Sequence, residues 1–363
     1  MEIYIYTGGE RIVGKSGVGQ AIRQQRDALH RCGITVSDHW TADTAAVHIN
    51  TVLPDSVLKA LGARLRGKKV IWYGHSTMED FRRSFRGSDL MAPLFRRWIT
   101  FCYGLGDVVI TPTEYAASLL RGYGVRRPVY SLSNGVDTAF FHRDPGLRQS
   151  FRRRYGLGEE ERVVISVGHT IGRKGITDFL ELARRMPNVR FLWFGWTAPR
   201  LLPRETSDAI AQAPANVSFP GYVDRELLRE AYCGADVFAF LSHEETEGIV
   251  VLEALACGIP TVLRDIPVYD GWLKDGETVY KASNLDEFQR DVAGILAHLL
   301  PDCTAAGRSV AEARSLETVG ARLRAIYQRE RILGPQPVSL PVSLPEGEGT
   351  SARRKRWVYP AKP

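Results

Sequence analysis

The chain has 363 residues, 44% of them hydrophobic and 25% charged, a balance that suits a soluble globular protein and excludes a disordered or fibrous one. At roughly 100–200 residues per domain the length predicts two domains. A formal charge of +7 and a pI near 9.2 suit an anionic partner: a phosphorylated ligand, acidic lipid or nucleic acid. Five cysteines, at 32, 102, 233, 257 and 303, form no C-x-x-C pair. That spacing argues against a zinc ribbon or a disulfide framework and for reduced thiols in a cytosolic compartment. No apolar run reaches transmembrane length, and the opening MEIYIY reads as a first strand rather than a signal peptide.

Strands are expected at residues 2–7, 47–50, 69–73, 107–111 and 129–132, with helices at 20–32 and 58–65 between them. Gly33 is placed to stop the first helix. Turn chemistry at Asn134-Gly135-Val136-Asp137 and an Arg-rich polar stretch up to Tyr155 mark a boundary. A second series follows. Strands are expected at 162–167, 190–194, 217–219, 236–241 and 261–263, helices at 177–186, 225–232 and 248–257, and one long helix at 311–331. Strands alternating with helices predict an α/β protein with two doubly wound, Rossmann-like halves facing a central cleft. Ligands in such sheets sit beyond the carboxyl ends of the strands. The expected divisions are 1–133, completed by a C-terminal helix at about 315–333, then 134–314, then a flexible Pro-rich and basic tail at 335–363.

Residues 9–16, GERIVGKS, match G-x-x-x-x-G-K-[ST] between a strand and a helix. A P-loop NTPase would use Lys15 on the phosphates and Ser16 on Mg²⁺. The strands at 47–50, 69–73 and 107–111 do not end in the aspartate such an enzyme needs. The glycines also continue at Gly17 and Gly19, so a Gly-rich turn accounts for them all.

The segment HEETEGIVVLE at 243–253 follows the strand at 236–241. Glu245 falls in the strand-to-helix loop and Glu253 on the second helical turn. The N–H groups near Gly248 suit an anion, and the acids suit hydroxyls. A nucleotide sugar supplies both. In GHTIGRKG at 168–175, Arg173 and Lys174 sit where the next helix starts. That placement opposes the helix dipole unless an anion, most simply a diphosphate, lies between. His75 follows the strand at 69–73 at a cleft-facing end.

The ordered set SGVGQA, His75, NGVD at 134–137, RKG at 173–175 and Glu245-x7-Glu253 resembles the retaining glycosyltransferases of family 4, of GT-B fold, over about residues 1–330. HSTMEDFRRSFRGSDLMAPLFRRWITFCYGLGDVVITPT, RKGITDFLELARRMPNVRFLWFG and HEETEGIVVLEALACGIPTVLRDIPVY are similar to bacterial 1,2-diacylglycerol 3-α-glucosyltransferases. That resemblance implies transfer of glucose from UDP-glucose to diacylglycerol with retention, and no metal or other cofactor. It implies donor contacts from Gly17, Gly19, Arg173, Lys174, Glu245, Glu247, Gly248, Ile249 and Glu253, with His75 and Glu245 at the reacting centre. His169 stands where many relatives carry an arginine. Another lipid or a soluble glycan as acceptor is the alternative within the class.

A bilayer acceptor implies a peripheral protein on the inner face of the cell membrane. Residues 79–103 interleave Arg82, Arg83, Arg86, Arg96 and Arg97 with Phe81, Phe85, Leu90, Met91, Leu94, Phe95, Trp98, Ile99, Phe101 and Tyr103. That composition fits an interfacial element on anionic lipid. No helix-turn-helix, finger or RNP-type signature supports nucleic acid.

Overall fold

A strand that must be followed by a parallel neighbour needs a crossover, and a helix packed on the sheet provides it. In the computed structural model, which describes residues 2–8, 17–82, 84 and 87–333, this rule yields two six-stranded sheets. The first contains β1 (Glu2–Tyr6), β2 (Thr35–Ser37), β3 (Thr44–Ile49), β4 (Lys69–Tyr73), β5 (Val108–Thr111) and β6 (Val129–Ser131), in the order β2-β1-β3-β4-β5-β6. The second contains β7 (Arg162–Val167), β8 (Val189–Phe194), β9 (Val217–Gly221), β10 (Val237–Phe240), β11 (Thr261–Arg264) and β12 (Tyr280–Ala282), in the order β12-β11-β10-β7-β8-β9. Every pairing is parallel.

Strands covered on both faces must be apolar throughout. Val70 to Tyr73 of β4 and Val237 to Ala239 of β10 are accordingly inaccessible to solvent. On the first sheet the helices Gly17–Arg31 and Leu316–Arg329 cover one face. Pro54–Leu65, Ser88–Gly104 and Glu114–Gly122 lie on the other, because all three cross in the direction β3 to β6. The C-terminal helix comes close. A Cβ on Gly320 would lie 2.3 Å from the carbonyl oxygen of Ala28.

Several expectations need correction. Thr35–Ser37 and Tyr280–Ala282 are short outer strands that the sequence reading passed over. The Arg-rich stretch before Tyr155 contains a helix, Gly146–Arg154. It is anchored by buried Phe151 and by Arg152, whose guanidinium donates to the carbonyls of Gly158 and Glu161. The long helix at 311–331 is two helices, Thr304–Glu312 and Leu316–Arg329. Ser315 breaks it by capping the second one, its Oγ accepting from Thr318 N.

The order of each sheet reverses once, between β1 and β3 and between β7 and β10. These switch points are where crevices form. The chain passes between the halves at Val136, which bridges Ser315 on the return crossing.

Candidate functional site

At the β7/β10 switch point the backbone itself makes the site. Gly175 closes the turn Gly172–Lys174 with φ 77°, and a Cβ there would lie 2.2 Å from the Leu241 carbonyl oxygen. Only glycine lets this turn press against the end of β10. The turn thereby fixes Arg173 and Lys174. Lys174 Nζ pairs with Glu245, both side chains being largely buried. Burial lowers the Lys174 pKa, with Glu245 opposing it. Burial would raise the Glu245 carboxyl, but Lys174 and Arg173 more than offset this and hold it below the usual range.

Arg173 is held from the other half. It pairs with Asp80 at 2.8 Å and donates to Ser84 Oγ at 3.0 Å and to the Glu244 carbonyl at 2.7 Å. Tyr115 donates to Glu244 Oε1 at 2.9 Å, and burial lifts that carboxyl to about 7. Thr113 Oγ1 donates to the Thr246 carbonyl at 2.8 Å. Gly248, at φ 85°, turns the chain into the helix Ile249–Cys257, so the free N–H groups at its start face the strand ends.

The two remaining acids differ. Glu253 is wholly buried. Its Oε1 accepts from Gln20 Nε2 of the first half and its Oε2 from Tyr232 Oη at 3.3 Å. Burial lifts its pKa to about 7, against those two donors. Glu247 Oε2 accepts from Asn134 N at 3.0 Å and Nδ2 at 2.8 Å. Its carboxylate therefore ties the crossing at NGVD to the strand-to-helix loop.

At the β1/β3 switch point Gly17 and Gly19 open the first helix, Gly17 exposed and Gly19 buried. His75, past the end of β4, is buried and stacks on Tyr73 at 5.2 Å. Burial lowers its pKa to about 4, so the ring is neutral. His169 Nδ1 meets the Trp196 carbonyl at 3.1 Å, and burial, with the Lys174 and Arg173 charges nearby, lowers its pKa. Gln20, Asp80, Ser84 and Asn50 belong to the site although the sequence reading did not single them out. Their partners lie 233, 93, 89 and 25 positions away, and no local pattern announces such pairs.

The expected interfacial residues divide. Ile99 and Tyr103 are core residues, wholly buried against the sheet. Phe81 and Phe95 stack on each other at 4.2 Å, and Trp98 donates to the Val52 carbonyl, so these aromatics are partly inside the fold. Arg82, Arg96 and Arg97 are exposed, and Arg96 lies over the Tyr123 ring. Arg83, Phe85 and Arg86 lie outside the described residues. The outward face of Ser88–Gly104 instead carries Leu90, Met91, Leu94 and Phe101. The neighbouring helix Pro54–Leu65 turns Leu58, Leu61 and Leu65 outward, opposite its buried Ser56, Ala60 and Ala63. Of the eleven exposed large hydrophobic residues among those described, seven lie on these two helices. Such a concentration marks an interaction surface. No helix among the described residues is long and apolar enough to cross a membrane.

Comparison with known proteins places this architecture. Residues 17–140 match the profile described as Glycosyltransferase Family 4, and residues 148–302 that described as Glycosyl transferases group 1. Over 330 residues the chain is 38% identical to the processive diacylglycerol alpha-glucosyltransferase of Acholeplasma laidlawii, covering 90% of this chain and 98% of that one. It is 26% identical over 279 residues to the alpha-galactosylglucosyldiacylglycerol synthase of Streptococcus pneumoniae, 74% of each chain. The solved structure of Anabaena HepE in complex with UDP and glucose matches with a TM-score of 0.73, over 91% of this chain and 100% of that one, at 13% identity. The chain belongs to the family-4 glycosyltransferases of GT-B fold. The P-loop NTPase reading is thereby set aside; Lys15 and Ser16 lie outside the described residues.

Proposed function

We propose that the protein transfers glucose from UDP-glucose to the free hydroxyl of 1,2-diacylglycerol, with retention of the α anomer, at the inner face of the cell membrane. The observation that carries the lipid acceptor is the apolar outer face of Pro54–Leu65 and Ser88–Gly104, beside a cleft lined with paired charges. The likeness to a processive diacylglycerol glucosyltransferase over 98% of that chain supports the same reading. In this reading Lys174 and Arg173 neutralise the diphosphate and Glu253 accepts from the ribose hydroxyls. Glu245 and the amides at Gly248 and Ile249 hold the hexose. Gly17 and Gly19 let the backbone approach the phosphate from across the cleft, and His75 contacts the hexose.

Transfer breaks the bond from the anomeric carbon to the phosphate oxygen and forms one to the acceptor oxygen on the same face. The acceptor proton passes to the leaving phosphate, so UDP departs and no protein nucleophile or metal is required. Fixed cations matter because negative charge grows on the leaving group in the transition state.

The test is a transfer assay with diacylglycerol in mixed micelles containing anionic lipid and EDTA. UDP-glucose, UDP-galactose and GDP-mannose are compared as donors. An α-glucosyl-diacylglycerol formed from UDP-glucose alone is expected. Product from another donor, or no product until a different acceptor is supplied, overturns the assignment.

The lipid surface has its own test. Replacing both Leu90 and Leu94 by aspartate is expected to weaken partition onto anionic vesicles by about 100-fold or more, since each leucine contributes roughly 1.5–3 kcal/mol when withdrawn from water. Both point outward, so the melting temperature should not move. Vesicle sedimentation and a thermal melt measure the two quantities.

A further inference from the structure

His75 Nε2 stands 3.0 Å from Asn50 Oδ1 and 3.3 Å from Gln25 Nε2, all three side chains being buried. One ring nitrogen cannot satisfy both an acceptor and a donor. Asn50 Nδ2 and Gln25 Oε1 are each buried with no partner among the described residues. The shorter contact decides between the two amides: Nε2 is protonated and donates to Asn50 Oδ1 at 3.0 Å, and the Gln25 amide nitrogen at 3.3 Å makes no bond to it. His75 Nδ1 then carries the lone pair, and it takes no partner among the described residues.

We infer that Asn50 is a positioning residue that locks His75 in the Nε2–H tautomer, so that Nδ1 accepts a hydrogen bond from a hydroxyl of the donor hexose. This rests on the reading of His75 as a contact of that sugar. Asn50 follows β3 and His75 follows β4, neighbouring strands in register. The sheet sets their separation, and stacking on Tyr73 fixes the ring plane. The titratable groups packed around the ring are His48 and Tyr73, both wholly buried. Burial lowers the His48 pKa to about 3 and raises that of Tyr73, so both are uncharged at neutral pH. Their neutrality leaves the amides of Asn50 and Gln25 to choose the tautomer, and the shorter contact is the one to Asn50.

The experiment uses the full chain with ¹⁵N-labelled histidine rings, the His75 signals being identified by their loss in His75→Asn. The expected spectrum shows Nε2–H with an unprotonated Nδ1, and a ring that stays neutral down to pH 5. Asn50→Leu removes the acceptor. A tautomer mixture and a tenfold or greater fall in kcat are expected, with KM for UDP-glucose moving less than threefold. Asn50→Asp keeps an acceptor and adds a charge. It should retain Nε2–H, raise the ring pKa by at least one unit, and restore kcat at pH 8 to within threefold of the parent. An Nδ1–H ring in the parent chain overturns the inference, as does a leucine variant with unchanged tautomer and kcat. If the leucine variant does not fold, the parent spectrum and the aspartate variant decide alone. A parent chain with the Nε2–H ring but no transfer from any donor overturns the proposed function while leaving the tautomer assignment standing.

Discussion

Lys174→Ala is expected to lower kcat by about 10³-fold, the scale of removing one fixed group that stabilises charge in a transition state. Two effects combine in that variant. The diphosphate loses a cation held by a rigid turn, and Glu245 loses its counter-charge in a buried place. An uncompensated buried carboxylate costs about 3–5 kcal/mol or takes up a proton. The alanine variant should therefore also melt lower. The double variant Lys174→Met with Glu245→Gln separates the effects, because it leaves no lone charge. Its melting temperature should recover most of the loss while kcat stays down. Steady-state kinetics beside thermal melts make the comparison. A double variant that regains activity would show that Lys174 serves only to neutralise Glu245.

The next residue carries a comparable effect on stability through the backbone alone. Gly175→Ala should destabilise the fold by about 3–4 kcal/mol, combining a left-handed backbone with an overpacked contact. The added carbon would stand 2.2 Å from the Leu241 carbonyl oxygen, where backbone lies on both sides and cannot yield cheaply. Gly33→Ala is the control. Its φ of 73° is nearly the same, but nothing lies within 4 Å of the added carbon, so about 1–2 kcal/mol is expected. Urea unfolding of the two variants isolates the clash from the dihedral. Equal losses would mean that the turn can move off β10.

The central strands were legible because burial on both faces demands continuous apolar runs, as in KVIWY and DVFAFL, whereas the crossover helices Ser88–Gly104, Glu114–Gly122 and Arg204–Ala211 were not expected. Of the three-residue outer strands, Val129–Ser131 was expected but Thr35–Ser37 and Tyr280–Ala282 were not, because a segment with one neighbour needs neither length nor apolar continuity. Gly146–Arg154 was hidden by its many arginines, one of which is buried and donates to carbonyls six and nine positions on. The charged pair Lys174 and Glu245 was legible as two separate motifs, and folding brings them together. Glu247 was legible as an acid in the right loop but not in its partner, since Asn134 belongs to a turn 113 positions earlier. On the lipid face the basic and aromatic mixture drew notice. The outward leucines of Pro54–Leu65 did not, because exposure depends on what the opposite side of that helix packs against.

The two crossings between the halves run side by side, joined where Val136 meets Ser315. A body attached at one line can turn about that line but cannot slide along the other body without tearing the attachment. The contacts Gln20–Glu253, Asp80–Arg173 and Thr113–Thr246 all span the same gap. A turn about that line therefore changes all three separations together, so opening the cleft acts on them jointly.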